Sequence, residues 1–257
     1  MTNMNINGIT FNTGKLPLNP DQNTLIFIHG ASNSKNLWEK QIDNLCEDFN
    51  TIAIDLPGHG DSTLNGMDSV NSYANSIEEF ITELNPPLPI PCGLSLGGAI
   101  TLQLIINNKI KFKAGIIINS GAKLKVMPAI FDLIKNNYSQ YVSSLPAVGI
   151  SSKTDASLIK GVIDSAQRCN PETAYNDFTA CNNFDVTDKL SHIDIPVLIL
   201  TAEEDKLTPK KYGEFLLNNI SGSSLVDIKD AGHLSPIEQH EKVNDAIKKF
   251  IDTVSGK

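Results

Sequence analysis

Arginine is almost absent from this sequence, and positive charge is in the minority. The 257 residues contain a single arginine, Arg168, and the formal net charge is −8. Nucleic-acid-binding faces need clustered lysine and arginine, and planar recognition of phosphate groups favours arginine. The composition therefore predicts no nucleic-acid partner and no cleft for a polyanionic substrate.

Cysteine pairs and long apolar runs are also missing. The four cysteines, Cys46, Cys92, Cys169 and Cys181, form no Cys-x-x-Cys pair, which favours free thiols in a reducing compartment. The longest apolar run, AGIIIN, is only as long as a strand, so we expect no membrane-spanning segment. The opening residues MTNMNINGIT lack the basic and apolar regions of a secretion signal, and a cytoplasmic location is expected.

Strand-like and helix-like segments alternate along most of the chain. Short runs rich in β-branched residues are separated by stretches whose apolar residues recur at spacings of three and four, which predicts amphipathic helices. This repetition predicts an α/β fold with a mostly parallel, doubly wound sheet covered on both faces. The strand-like runs occupy residues 24–30, 51–58, 90–94, 114–120, 195–200 and 224–229.

The alternation stops between residues 123 and 190, where helical stripes occur without a clear strand. Asn170-Pro171-Glu172 is typical of a helix start, with asparagine as the N-cap and proline in the first turn. We therefore predict a helical cap at residues 123–190, inserted between two core segments at residues 1–122 and 191–257.

The segment PIPCGLSLGGAI (residues 89–100) holds one serine between two glycines. Pro89 and Pro91 cannot donate ladder hydrogen bonds, so a short strand centred on residues 90–94 is expected, with Pro89 in its lead-in. Ser95 falls where this strand turns into a helix. Such a turn strains the serine backbone and exposes its hydroxyl at the carboxyl edge of the sheet. The pattern predicts a nucleophile; the alternative is a glycine-rich packing turn with a solvated serine.

Several motifs together resemble the capped α/β-hydrolase superfamily, in particular its carboxylesterase-like serine hydrolases. The resemblance covers about residues 22–120 and 190–254 and implies that the cap follows the sixth strand. It is specific for the fold and much less so for the substrate. The motifs are His29-Gly30, DLPGHGDS (residues 55–62), the GLSLGG turn, Asp205-Lys206-Leu207-Thr208-Pro209 and Ala231-Gly232-His233.

A serine hydroxyl needs a base, and the base needs a carboxylate that fixes its tautomer. His233 follows a strand and a short turn, so it is predicted to be the general base. Glu203, Glu204 and Asp205 all follow the strand at residues 195–200, and the resemblance favours Asp205 as the acid. The other reading is that all three are solvated loop charges. Thr208-Pro209 is interpreted as the start of the next helix.

The oxyanion of an acyl-transfer reaction needs two backbone donors. Leu96, directly after the serine, supplies one predicted N–H, and the resemblance indicates Ala31 for the other. In the cap, Met127, Ile130 and Phe131 are predicted to contact an apolar acyl group, although residues of this kind also pack a cap onto its core.

These features together favour a serine hydrolase that cleaves a small or medium carboxylic ester through an acyl-enzyme. The expected partner is a small-molecule acyl substrate. No metal or organic cofactor is expected, because acyl transfer by this route requires neither, and the spacing of His233 and His240 matches no known metal-ligand motif. Two alternatives stay open: a lactonase, thioesterase, carbon–carbon hydrolase or perhydrolase using the same triad, and a non-enzymatic ligand sensor of the same fold.

Overall fold

The structure, a computed structural model, describes residues 3–256 and is organised around one eight-stranded sheet. Its strands are β1 (Met4–Ile6), β2 (Ile9–Thr13), β3 (Thr24–Ile28), β4 (Asn50–Ile54), β5 (Pro89–Leu94), β6 (Gly115–Ile118), β7 (Val197–Ala202) and β8 (Ser223–Ile228). They lie in the order β1-β2-β4-β3-β5-β6-β7-β8. β1 and β2 are antiparallel to their neighbours, and every other pair is parallel. The predicted mostly parallel sheet is confirmed.

Helices cover both faces of this sheet. They are α1 (Glu39–Leu45), α2 (Val70–Leu84), α3 (Leu96–Asn107), α4 (Pro128–Asn136), α5 (Tyr138–Gly149), α6 (Lys160–Arg168), α7 (Pro171–Asn183), α8 (Lys211–Asn219), α9 (Ser235–Glu238) and α10 (His240–Ser255). Within residues 3–256, no helix is both long and apolar enough to cross a bilayer. The first two residues and the last residue of the predicted core segments lie outside the described part of the chain.

The central strands are apolar on both sides because each side contacts its own hydrophobic cluster. In β3, Ile26 and Ile28 join the cluster that includes residues of α2 and α3, whereas Leu25 and Phe27 join the cluster formed with α1 and α10. All four side chains are fully buried. Side chains of a strand alternate between its faces, so a central strand covered on both sides becomes a continuous apolar run. That is the pattern from which the fold was predicted.

The N-terminal hairpin was not predicted from the sequence. β1 and β2 are joined by Asn7 and Gly8, whose φ angles of 50° and 84° are those of a tight hairpin turn. An Asn-Gly pair between two short extended segments is a strong hairpin signal. The strands have three and five residues and mix polar with apolar side chains. They therefore contain no apolar run from which a strand could be predicted.

β5 begins at Pro89, which was predicted to lie in the lead-in to a strand centred on residues 90–94. β3 pairs with β5 from Pro89 onward, whereas β6 joins only at Cys92. In a parallel strand, alternate residues direct their backbone groups to the same neighbour. The Pro89 carbonyl accepts from the Lys113 N–H, on the β6 side. The nitrogens of Pro89 and Pro91 therefore face the side on which β6 has not yet begun, and the ladder loses little.

The segment between β6 and β7 carries helices α4 to α7 and three-residue-per-turn helices at Ala156–Ile159 and Thr187–His192. We call residues 128–192 the insert. The predicted helix start is confirmed: α7 begins at Pro171, and the Asn170 Oδ1 accepts from the Glu172 N–H at 2.9 Å. The division into a cap at 123–190 and two core segments stays a prediction.

Candidate active site

Ser95 occupies the sharp turn between β5 and α3. Its φ of 56° and ψ of −115° are rare for a residue with a side chain, and such strain persists only where the surroundings hold it. The Ser95 N–H donates to the Ile118 carbonyl of β6 at 3.0 Å. The Ser95 carbonyl accepts from the Ser120 hydroxyl at 2.7 Å. The last residue of β6 and the loop that follows it therefore hold the two backbone groups of the strained residue.

The glycines on either side of Ser95 leave room for this turn. A Cβ atom on Gly93 would lie 1.9 Å from the Gly97 carbonyl oxygen, and one on Gly97 would lie 2.1 Å from the carbonyl oxygen of Ile28. Both clashes involve backbone atoms, which cannot rotate away. The strand, the turn and the helix can approach this closely only because both positions lack a side chain.

Replacement of Gly97 by alanine is therefore expected to destabilise the fold severely, by about 3 kcal/mol or more, since overpacking against backbone forces a shift of the main chain. Urea denaturation followed by circular dichroism measures the loss. Gly161→Ala is the matched control: Gly161 lies in α6, a Cβ there meets nothing within 4 Å, and alanine favours an exposed helix. Equal stability of the two variants would contradict the packing described for the turn.

Asp205 and His233 meet at the same edge of the sheet, from the loops after β7 and β8. The His233 Nδ1 lies 2.9 Å from Asp205 Oδ2, and both residues are 6% exposed. The other carboxylate oxygen accepts from the N–H groups of Leu207 and Thr208 at 2.8 and 2.9 Å. With Nδ1 donating to the carboxylate, Nε2 of a neutral His233 is an acceptor, as a general base requires.

Thr208 has a different role from the one predicted. Its hydroxyl donates to Asp205 Oδ2 at 2.7 Å, and α8 begins only at Lys211, with Lys210 at the N-cap position. The prediction that Thr208-Pro209 starts this helix was wrong, because the Thr208 hydroxyl binds the buried Asp205 carboxylate instead of capping α8. The three acidic residues after β7 have different partners. Glu203 binds Lys229, and Glu204 binds Ser151 and Ser152, so only Asp205 binds the histidine.

The surroundings of Asp205 favour its ionised form. Burial by itself raises the pKa of the carboxyl, but the positive charge and hydrogen bond of His233, together with the Thr208 donors, outweigh it and lower the pKa from 3.8 to about 2. A lowered pKa in the folded state stabilises the protein above pH 3.8, and that stabilisation is lost as the pH falls towards 2.

The stability difference between wild type and Asp205→Asn should therefore depend on pH. We expect it to shrink by about 2 kcal/mol between pH 5 and pH 2, the free energy that corresponds to the shift in pKa. Denaturant titrations of both proteins at several pH values measure this difference. A difference that stays constant over this range would show that the carboxylate gains nothing from its partners.

The loop after β6 connects the serine to the histidine. Asn119 donates to the His233 carbonyl at 2.9 Å, and its neighbour Ser120 donates to the Ser95 carbonyl. Among residues 3–256, the Ser95 hydroxyl itself makes no hydrogen bond. Contacts between nucleophile and base are often loose in unliganded enzymes and tighten around the substrate. The loops after β5, β6, β7 and β8 thus converge on one site.

Ala31 lies in the loop after β3, next to the serine. The Gly30 carbonyl is 2.7 Å from the His29 Nδ1, while His29 Nε2 accepts from the Leu56 N–H at 3.1 Å. Because the Gly30 carbonyl and the Ala31 N–H belong to one trans peptide, they point in opposite directions. A Cβ on Gly30 would lie 3.3 Å from the Ser95 Cβ. His29 therefore restrains the peptide plane between Gly30 and Ala31, and Gly30 itself lies beside Ser95.

Burial keeps His29 neutral. Complete desolvation, followed by repulsion from His59, lowers the pKa of His29 to about 3. A neutral imidazole can donate from Nδ1 and accept at Nε2 simultaneously, and a protonated ring cannot. The second predicted donor, Leu96, is the first residue of α3 and is fully buried. N–H groups in the first turn of a helix lack partners within the helix.

Asp177 of α7 is a buried polar residue that the sequence analysis did not identify. It is fully buried, and it accepts hydrogen bonds from the Ser32 N–H, His59 and the Tyr73 hydroxyl at 2.9, 2.8 and 2.7 Å. A signal was present, since Asp177 stands on the same helix face as the buried Ala174 and Ala180. A charged residue on an apolar helix face indicates a partner elsewhere in the fold.

The three residues predicted to contact substrate lie in and beside α4. Met127 precedes the helix and is 70% exposed, Phe131 packs edge-to-face on Tyr175, and Ile130 packs against the small hydrophobic cluster of the insert. Their role in binding stays a prediction.

Comparison with known proteins agrees with the fold. The chain belongs to the alpha/beta hydrolase family, because the family model matches residues 25–246.

Relatives of similar length carry several names. The chain is 26% identical over 237 residues to 3-oxoadipate enol-lactonase 1 of Acinetobacter baylyi, with 90% of this chain and 89% of that protein covered. It is 26% identical over 243 residues to the pimeloyl-[acyl-carrier protein] methyl ester esterase of Neisseria meningitidis, with coverage of 89% and 92%. A lipase-esterase related protein from Clostridium acetobutylicum superimposes with a TM-score of 0.80 at 26% identity, covering 95% of this chain and 99% of that chain.

Proposed function

We propose that this protein hydrolyses small or medium carboxylic esters with Ser95 as nucleophile, His233 as general base and Asp205 as the acid that orients the histidine. One observation carries the proposal: the buried Asp205–His233 hydrogen bond of 2.9 Å lies at the edge where the strained Ser95 is presented. Backbone strain at a half-buried serine, together with a paired histidine and carboxylate, is the feature set of an activated nucleophile.

In the first half of the reaction, Ser95 Oγ attacks the ester carbonyl carbon while His233 Nε2 takes the hydroxyl proton. The ionised Asp205 stabilises the imidazolium that forms. The carbonyl oxygen becomes an oxyanion, and the N–H groups of Ala31 and Leu96 are the proposed donors to it. Collapse of this intermediate breaks the carbon–oxygen bond, and His233 returns the proton to the leaving alkoxide.

In the second half, the same residues act on water. His233 removes a proton from a water molecule, whose oxygen attacks the acyl carbon of the acyl-enzyme. The second oxyanion uses the same two N–H groups. Protonation of Ser95 Oγ by His233 releases the carboxylic acid and restores the resting enzyme.

The names of the relatives support an ester as the bond that is cleaved. One is an enol-lactonase and the other a methyl ester esterase, so one name refers to a cyclic ester and the other to an open one. Lactone hydrolysis is accordingly the second candidate. It uses the same steps, but the leaving alkoxide remains attached to the acyl group.

A substrate panel tests the proposal and separates the candidates. Initial rates are measured on p-nitrophenyl acetate, butyrate and octanoate, on γ- and δ-lactones, and on acyl thioesters. We expect the highest kcat/KM on the open esters of short or medium chain length. Turnover confined to lactones would favour the second candidate. A folded protein that turns over none of these substrates would contradict the proposed hydrolysis and favour a ligand sensor.

A further inference from the structure

A single carboxylate joins the insert to the loop that carries Ala31. Asp177 Oδ2 accepts both from the Ser32 N–H and from His59 Nε2, and Oδ1 accepts from the Tyr73 hydroxyl. The Asp177 and His59 side chains are fully buried. The three donors come from the loop after β3, from the turn after β4 and from α2, whereas the carboxylate comes from α7.

Ser32 is the residue directly after the proposed oxyanion donor, and its backbone is strained. Its φ of 57° lies in the left-handed region, which residues with a side chain adopt only under constraint. The Ser32 N–H and the Ala31 carbonyl belong to one peptide plane. If that plane rotated, the Ala31 carbonyl oxygen would turn towards the Asp177 carboxylate. Repulsion between two acceptors in a buried site therefore opposes the rotation.

Both peptide planes that flank Ala31 are thus held by side chains, one from the loop itself and one from α7. His29 holds the plane on the N-terminal side through the Gly30 carbonyl, and Asp177 holds the plane on the C-terminal side through the Ser32 N–H. The Tyr141 hydroxyl of the insert adds a contact of 3.2 Å with the Ser32 side chain. Two fixed planes leave the Ala31 N–H little freedom.

We propose that Asp177 is a positioning residue for the oxyanion hole: by holding the Ser32 N–H, it keeps the Ala31 N–H directed at the oxygen of the substrate carbonyl. This inference rests on the function proposed above. It makes the insert part of the catalytic geometry, because the residue that fixes the loop belongs to α7 and not to the sheet.

Asp177 favours the protonated form of His59 in this buried position. Burial alone would lower the pKa of His59, but the charge and hydrogen bond of Asp177 raise it well above its ordinary value. A buried ion pair with satisfied hydrogen bonds can be tolerated, whereas a lone buried charge cannot. The ring of the neutral His29 packs on His59, with centroids 4.9 Å apart.

The test compares Asp177→Asn with wild type on the best ester of the panel. An amide offers one acceptor oxygen where three donors converge, so the loop loses its fixed orientation. We expect kcat to fall about 10- to 100-fold with KM changed less than about threefold, since loss of an entire oxyanion donor costs about 10²–10³ in kcat. Affinity for a trifluoromethyl ketone, which forms an oxyanion adduct with the serine, should fall by the same factor as kcat/KM.

Glu78→Gln is the matched control. Glu78 is 6% exposed and accepts from Asn107 and Lys109 at the C-terminal end of α3, whereas Ser95 stands before the N-terminal end of that helix. It should lose stability without losing kcat. A wild-type kcat and ketone affinity in folded Asp177→Asn, or an equal loss of kcat in Glu78→Gln, would overturn the inference while the wild-type rate still supports the proposed function. Absence of hydrolysis by wild type itself would instead remove the proposed function.

If Asp177→Asn does not fold, a measurement on the wild-type protein tests the same inference. Amide hydrogen exchange followed by NMR should show a Ser32 N–H that is protected in the free enzyme and equally protected with the trifluoromethyl ketone bound, because the loop is held before substrate arrives. A Ser32 amide that exchanges freely and becomes protected only with the ketone would overturn the inference.

Discussion

Ser95→Ala is expected to lower kcat/KM on the best ester by roughly three to six orders of magnitude. Alanine removes the only atom that can form the acyl-enzyme, while the backbone of the turn stays held by Ile118 and Ser120. The residual rate comes from the remaining donors acting on water. Steady-state kinetics on a chromogenic ester, with circular dichroism to verify folding, measure the effect.

Ser143→Ala is the matched control for this loss. Ser143 is an exposed serine of α5, and among residues 3–256 its hydroxyl bonds only a backbone carbonyl of its own helix, so its removal should leave the kinetics unchanged. A folded Ser95→Ala protein with wild-type turnover would mean that the hydrolysis proceeds without this serine.

Asp205→Asn is expected to lower kcat by about 10⁴-fold at neutral pH. The amide can turn its NH₂ group towards His233 Nδ1, which leaves the proton on Nε2, where the base must accept. The negative charge that stabilises the imidazolium is lost as well. The pH–rate profile of the variant, measured on the same ester, shows the loss of the general base at neutral pH.

Glu204→Gln tests whether charge on this loop alone matters. Glu204 stands one residue before Asp205 but binds Ser151 and Ser152 instead of the histidine. Its substitution should leave kcat near the wild-type value. In addition, Asp205→Asn and His233→Ala should be far from additive, because the two residues act as one unit. Additive losses, or an active Asp205→Asn, would contradict the assigned roles.

The parts of the site that follow a strand directly were predictable. Ser95, Asp205 and His233 each stand within a few residues of an apolar run, and parallel strands bring their carboxyl ends to one edge. Local sequence signals therefore predicted that these three residues share one edge of the sheet, and their catalytic roles stay predictions. The parallel core was predictable for a related reason, since burial on two faces leaves a continuous apolar run such as β3.

The parts that depend on distant contacts were not predictable. Asp177 binds groups from residues 32, 59 and 73, and no local pattern joins these positions. The same applies to Thr208, whose hydroxyl could cap a helix or bind a carboxylate. The structure shows the second, because a buried, ionised Asp205 needs every donor within reach.

The central claim is that Ser95 is the residue activated by the pair of His233 and Asp205. Its most direct test is mass spectrometry of the native protein after reaction with a fluorophosphonate at neutral pH. The account predicts one adduct per chain, located on Ser95 by peptide analysis, absent in Ser95→Ala and formed much more slowly in Asp205→Asn. A folded protein that stays unlabelled, or that carries its adduct on another residue, would contradict it.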